Sequence, residues 1–267
     1  MKNNIEILIP TLNEEGNIEK VINELKTEGY NNITLLDANS TDQTVKIAKD
    51  NGCRIIKDNS NISGFGGSVI NGLNNLKHEY FCIFDGDNSF NPKAISDMLN
   101  KISNGADFVF GTRYLNGNKS DDDTMVTKFG NFFFTKLVRF LFKINTTDLL
   151  FLYVVGKREN VSKLNLKQKD FSFCTEFLIK CYKNFNCEEV FSKERKRLSG
   201  NSKVNRIFDG LKILSKASSN FEDKSLNSSV ESMANELSAV LKRSKQTEST
   251  KQNDLSKKNS FFGWKRK

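Results

Sequence analysis

Between residue 5 and about residue 115, short apolar runs alternate with amphipathic ones, and this alternation constrains the fold more than any single residue does. The apolar runs are Ile5 to Ile9, Ile33 to Leu36, Arg54 to Ile56, Tyr80 to Phe84 and Phe108 to Phe110. Between them lie Glu15 to Lys26, Thr41 to Asp50, Gly67 to Leu76 and Pro92 to Ile102, each with helical spacing. Strand, helix, strand in series predicts an α/β fold, with a mostly parallel central sheet flanked by helices. Ligands of such sheets bind beyond the carboxyl ends of the strands. Three polar clusters fall at those ends and are expected to converge on one crevice: Pro10-Thr11-Leu12-Asn13-Glu14, Asp37-Ala38-Asn39-Ser40-Thr41-Asp42 and Asp85-Gly86-Asp87.

The third cluster carries the sharpest chemistry. Tyr80 to Phe84 delivers two carboxylates, Asp85 and Asp87, one residue apart. Such a pair repels itself unless a cation lies nearby, and a hard divalent ion held by carboxylate oxygens keeps positions open for substrate phosphates. A calcium loop would need glycine where Phe90 stands and would follow a helix. A plain turn rich in Asp, Gly and Asn is the other reading of the tripeptide alone. Gly64-Phe65-Gly66-Gly67 lacks the third glycine of a dinucleotide fingerprint, and no GxxxxGK[ST] loop occurs, so neither NAD nor a P-loop nucleotide site is supported.

The chain has 267 residues, 37% of them hydrophobic, enough for a substantial core. Its 41 Lys and Arg against 32 Asp and Glu give +9, which favours an anionic partner without choosing among nucleic acid, membrane surface and phosphorylated substrate. No helix-turn-helix or RNA-binding aromatic motif is present, so no nucleic-acid partner is expected. Five cysteines form no CxxC pair and the single His78 cannot complete a zinc set, which predicts a reducing compartment and no structural zinc. The first residues show no secretory pattern, and the longest apolar run, Leu149 to Val155, is far below the ~20 residues of a membrane span.

The second half changes character. From Thr124 to Asn145, Phe129, Phe132, Phe133, Phe134, Phe140 and Phe142 sit among Lys128, Lys136, Arg139 and Lys143 with no acidic residue. This predicts a helix that is either a core element or lies in a membrane interface against anionic headgroups. Phe171 to Phe185 predicts another helix, and a basic stretch begins at Lys193-Glu194-Arg195-Lys196-Arg197. After about Ser215 the composition turns to Ser, Asn, Lys, Gln and Glu, which predicts a flexible, basic tail over 216–267 with one short amphipathic helix around Val230 to Leu241.

Taken together, these clusters resemble glycosyltransferase family 2, and in particular the polyprenyl-phosphate sugar synthases of the dolichyl-phosphate mannose synthase type, over roughly residues 5 to 214. The resemblance implies a GT-A-type nucleotide-sugar-binding fold, with a catalytic domain over 1–215. It implies that Pro10, Asn13, Glu14, Asp37 and Asp85 belong to the nucleotide-sugar pocket, with Ala38 where a second Asp is common. Asp85 and Asp87 then correspond to the metal motif for Mg²⁺ or Mn²⁺, with Ser89 where a Gln ligand is frequent. Gly111-Thr112-Arg113-Tyr114 makes Arg113 a phosphate contact. Thr127-Lys128-Phe129-Gly130-Asn131 matches a further motif, with Lys128 in place of Arg. The run Arg197-Leu198-Ser199-Gly200-Asn201-Ser202-Lys203 is similar to the R-x-x-G-x-S-K that these synthases place near the acceptor phosphate, which assigns Arg197, Ser202 and Lys203 to it. After Asp148 the usual Ser-Gly-Phe-Arg-like segment is replaced by Phe151-Leu152-Tyr153-Val154.

The implied chemistry is displacement of a nucleoside diphosphate, with inversion, by a lipid phosphate that is already anionic and needs positioning rather than a base. The partners implied are a nucleotide-sugar donor and a polyprenyl-phosphate acceptor. The implied location is peripheral, on the cytoplasmic face of a membrane, held by the tail or by a membrane-protein partner. Two alternatives stay open at this point. One is a saccharide or protein hydroxyl acceptor with Asp148 as the base; the other is a silent nucleotide-sugar-binding module.

Overall fold

This computed structural model describes residues 1–58, 64–115 and 125–195, without the side chains of residues 125–130, 133 and 134. Among the described residues seven strands form one sheet: β1 (Ile5–Thr11), β2 (Ile33–Asp37), β3 (Arg54–Lys57), β4 (Tyr80–Ile83), β5 (Phe108–Thr112), β6 (Val154–Lys157) and β7 (Cys187–Phe191). Their order is β3-β2-β1-β4-β6-β5-β7. The helices are α1 (Ile18–Thr27), α2 (Thr44–Asp50), α3 (Gly64–Asn74), α4 (Ala94–Ser103), α5 (Met125–Phe142) and α6 (Ser172–Asn184).

Strand alternation sorts the apolar side chains into two layers. Ile5, Ile7 and Ile9 of β1 join Ile33 and Leu35 of β2 and Cys82 of β4 in a core closed by Ile18, Val21, Ile22 and Leu25 of α1 and Ile95, Met98 and Ile102 of α4. The opposite face is covered by α3 and α6. There Leu36 is tucked so close to Gly72 that an added Cβ would sit 2.7 Å from it, and Phe108 packs edge-on against Phe177. Helices on both faces and parallel pairing of β1 with β2 and β4, and of β2 with β3, give the expected mostly parallel sheet.

Two strands were not foreseen. β6 runs antiparallel to both β4 and β5, and β7 extends the far edge parallel to β5. β6 falls inside a stretch readable only as a short apolar run, and β7 contains Glu188 and Glu189. Gly156 lets β6 occupy its place, because a Cβ there would meet Phe108 at 2.6 Å and Phe81 at 2.8 Å. β5 therefore points the same way as β4, and the carboxyl ends of β1, β2, β4 and β5 share one edge of the sheet.

Candidate active site

At that edge the β1 and β2 loops interlock. The Ala38 N–H donates to Thr11 O at 3.0 Å, the Asn13 N–H to Ser40 Oγ at 3.0 Å, and the Thr41 N–H to Asn13 Oδ1 at 2.8 Å. Asn13 adopts φ of 55°, the left-handed region that asparagine tolerates. Glu14 donates its N–H to Thr44 Oγ1 at 2.8 Å and accepts from Asn17 through its carboxylate. Asp42 receives the Thr44 N–H and the Glu15 N–H. Burial pushes the Asp42 carboxyl up, but these bonds and that of the Thr44 hydroxyl outweigh it and hold it below the usual range.

Asp37 sits at the floor of this corner, fully buried. Its Oδ1 accepts the Ser40 N–H at 2.9 Å, whereas its Oδ2 is buried with no hydrogen-bond partner within the protein. Such an oxygen is costly unless a ligand donor completes it. Beside it lies Asp58, whose N–H donates to Asp37 O at 3.0 Å and whose carboxylate accepts from Ser68. Burial raises the Asp58 carboxyl, and the neighbouring Asp37 charge adds to that. Asp58 was missed in the sequence, although it ends β3 just as the recognised clusters end β1, β2 and β4.

The Asp85-Gly86-Asp87 turn lies against the end of β1; an added Cβ on Gly86 would stand 2.9 Å from Thr11 Cγ2. Asp87 is 2% exposed and its N–H donates to Asp85 Oδ1. The Ser89 N–H donates to Asp87 Oδ1 at 2.8 Å, so Ser89 meets Asp87 through its backbone. Phe84, Phe90, Phe151 and Tyr153 form an aromatic floor beneath the turn, and the Tyr153 hydroxyl donates to Asn91 O at 2.8 Å. Among the described residues no three His, Cys, Asp or Glu side chains converge as a complete metal cage. Two carboxylates at one turn instead fit an ion of the Mg²⁺ type, which binds through one or two carboxylates and fills its remaining positions with water and phosphate.

Arg113 was expected to face a phosphate. In the structure it is 3% exposed and already committed: Nε and Nη2 form a two-point pair with Asp148 at 2.7 and 2.9 Å, and Nη1 donates to Glu194 at 3.0 Å. Its guanidinium lies over the Phe151 ring, 5.0 Å from the centroid. A phosphate would have to compete with two carboxylates for it. Asp148 also accepts from Asn131 Nδ2 at 2.9 Å, and Asn131 lies on α5. Burial alone raises the Asp148 carboxyl, yet the Arg113 charge and bonds, with Asn131, bring it below the ordinary range.

Pro10, Asn13, Glu14, Asp37, Asp85, Asp87 and Ser89 thus gather at one sheet edge, and Arg113 lies at the end of β5 on the same edge. Arg197, Ser202, Lys203, the side chain of Lys128 and the whole 216–267 tail lie outside the described residues. Asn131, Glu194 and Arg195 were given no site role from the sequence: Glu194 and Arg195 fall within a basic run that reads as a solvated face, and Asn131 stood only as the last residue of the 127–131 motif.

Residues 6–164 match the family described as glycosyl transferase family 2. Glycosyltransferase AglJ of Haloferax volcanii is 28% identical over 178 residues, 66% of this chain and 58% of that protein, so the chain spans little more than half of AglJ. The UDP-N-acetylglucosamine--dolichyl-phosphate N-acetylglucosaminyltransferase of Methanococcus voltae is 28% identical over 211 residues, covering 70% of this chain and 83% of the relative. Glucosyl-3-phosphoglycerate synthase from Mycobacterium tuberculosis, crystallised with phosphoglyceric acid, superposes with a TM-score of 0.64 at 17% identity, covering 83% of this chain and 81% of that one. The same synthase has been crystallised with Mn²⁺ and UDP-glucose, with a TM-score of 0.58 at 18% identity and coverage of 73% and 72%. With the family match spanning more than half of its length and a GT-A sheet that collects the polar clusters on one edge, the chain belongs to glycosyl transferase family 2.

Proposed function

We propose that the protein is an inverting, divalent-metal-dependent enzyme that moves a hexose from a GDP- or UDP-linked donor to a polyprenyl phosphate at a membrane surface. The observation that carries the choice of acceptor is the state of Asp148. An alcohol acceptor needs a base, and Asp148 is the carboxylate the sequence offered for it. Its two oxygens are taken up by Arg113 and Asn131 inside the fold, and its proton affinity is lowered. A group so placed is a poor proton acceptor, which favours an acceptor that arrives as an anion.

The two sides of α5 support a lipid acceptor. On its inner side Asn131 bonds Asp148, Thr135 Oγ1 accepts the Leu149 N–H at 3.3 Å, and Val138 and Phe142 are buried. On its outer side Phe132 is 56% and Phe140 80% exposed, interleaved with exposed Lys136 and Arg139 and followed by Lys143. Aromatics among cations, with no acidic residue from 124 to 145, suit the interface of an anionic bilayer. One helix would thus join the membrane surface to the edge of the site. Among the described residues no helix is long and apolar enough to cross a membrane.

For the donor, the orphaned Asp37 Oδ2 offers an acceptor for a ribose hydroxyl or a base N–H, with Pro10, Asn13 and Glu14 alongside. Asp87, with Asp85 and Ser89 in the same turn, would hold the Mg²⁺ or Mn²⁺. When bound, the ion supplies Lewis-acid neutralisation of the departing diphosphate. The basic run Arg197, Ser202 and Lys203, with Lys128, would orient the acceptor phosphate, arginine by two-point contact. Relatives named for dolichyl-phosphate transfer, and structural neighbours crystallised with Mn²⁺ or Mg²⁺ and UDP, support this reading.

The test is transfer from radiolabelled GDP- and UDP-sugars to short polyprenyl phosphates with Mn²⁺ or Mg²⁺, using wild type, Asp87→Ala and Arg197→Ala. Organic-soluble product that both substitutions abolish is the expected result. Binding of nucleotide-sugar without transfer to any lipid phosphate would overturn the acceptor assignment.

A further inference from the structure

The segment that follows β7 is pinned to the site by two consecutive residues. Glu194 reaches Arg113 at the end of β5, with an Oε2 to Nη1 distance of 3.0 Å. Arg195 turns the other way, onto the turn that carries Asp87. Its N–H donates to Ser89 O at 2.9 Å, and its Nη2 contacts Asn88 Oδ1 at 3.3 Å, Phe90 O, and Glu24 Oε2 on α1 at 2.8 Å. One arginine therefore touches three consecutive residues of the turn, Asn88, Ser89 and Phe90, and ties them to α1.

The turn has reason to need an external tie. Asn88 adopts φ of 68°, a conformation that most residues avoid. The Ser89 N–H aims Asp87 Oδ1, so any shift of Asn88 or Ser89 re-aims the Asp87 carboxylate. A flexible mount would blunt a carboxylate meant for a cation that demands near-ideal octahedral geometry.

We propose that Arg195 is a positioning residue for the divalent ion: it clamps the Asn88-Ser89-Phe90 turn so that the Asp87 carboxylate is held ready for the metal and diphosphate. This rests on the metal reading of Asp87 given above. It adds a residue outside the Asp-x-Asp motif, contributed by the segment that follows β7, the strand farthest along the sheet from β3. Removing a group that orients a metal ligand through a hydrogen bond costs about 10- to 100-fold in metal affinity. The effect should be larger for Mg²⁺ than for Mn²⁺ because Mg²⁺ is the stricter in geometry. An arginine that served stability alone would not discriminate between the ions.

The experiment is Mn²⁺ binding to the full chain by electron paramagnetic resonance of the free ion, with saturating UDP or GDP, and Mg²⁺ by competition. Wild type is compared with Asp87→Asn, Arg195→Ala, Arg195→Lys and Glu24→Gln, each checked for folding by circular dichroism. Asp87→Asn should abolish nucleotide-dependent binding, and Arg195→Ala should weaken Mn²⁺ by about 10-fold and Mg²⁺ by more. Arg195→Lys keeps the charge but cannot span Glu24, Asn88 and Phe90 together, so it should lie nearer Ala than wild type; it carries the test if Arg195→Ala does not fold. Affinities within about twofold of wild type for both Arg195 variants would overturn the clamp. A wild type that binds no Mn²⁺ with either nucleotide, or an Asp87→Asn that binds normally, would instead overturn the metal reading itself and the clamp with it.

Discussion

Arg113 and Asp148 face each other in a two-point ion pair inside the protein, 2.7 Å from Nε to Oδ2 and 2.9 Å from Nη2 to Oδ1, with side chains 3% and 0% exposed. The pair joins the end of β5 to the segment after α5, and through Glu194 to the segment after β7. Three stretches of chain that bear on the same sheet edge are thereby held at one point. Removing one partner of such a buried set leaves charge uncompensated, which typically costs 3–5 kcal/mol, roughly. Arg113→Met, which strands two carboxylates, should therefore lower the unfolding free energy by about that amount in urea titration, and more than Glu194→Gln does.

The same pair sets a pH dependence. The Asp148 carboxyl is lowered in the folded protein, so its contribution is fully present above the unfolded carboxylate value, about 3.9, and fades as pH falls through the folded value. Asp148→Asn should flatten the acid side of the stability curve while reducing stability at neutral pH. An unchanged acid limb in that variant would show that other carboxylates govern acid unfolding.

Asp58 runs in the opposite sense. Its carboxyl is raised by burial and by Asp37, so its ionised form weakens the fold near neutrality, and stability is regained as pH falls through the raised folded value. Asp58→Asn keeps an acceptor for the Ser68 hydroxyl and removes the charge. It should raise the melting temperature at pH 7, with the gain shrinking at acidic pH in differential scanning calorimetry.

The outer face of α5 is tested by flotation with anionic vesicles. Phe132→Ser with Phe140→Ser changes two side chains that are 56% and 80% exposed, so folding should be unaffected while vesicle binding falls. Each exposed phenylalanine that inserts is worth about 1.5–3 kcal/mol, so the double variant should lose on the order of 100-fold or more in partitioning. Binding that survives both substitutions would remove α5 as the docking face.

Gly66 tests the packing at the start of α3. A Cβ there would lie 2.4 Å from Gln168 O and 2.5 Å from Phe173 Cβ. Both are groups that can yield only by moving the 168–173 segment. Gly66→Ala should cost about 1–3 kcal/mol from overpacking, read as a lower urea midpoint at unchanged slope.

The order of strands and helices up to β5 followed from the sequence because each element there carries its own signal: a short apolar run or an amphipathic period. The end-of-strand clusters around Asn13, Asp37 and Asp87 were legible for the same reason, since a parallel sheet fixes in advance which strand ends face the ligand. β6 and β7 were not legible, because an antiparallel insertion and an edge strand containing Glu188 and Glu189 gain their stability from partners distant in sequence. Nor could local sequence reveal that Arg113 is committed to Asp148 and Glu194, 35 and 81 residues away, or that Arg195 grips Asn88, 107 residues back. Charged residues report only their presence in a sequence. Whether they serve a ligand or one another depends on which of them the fold removes from water together, and that was decided by the tertiary structure.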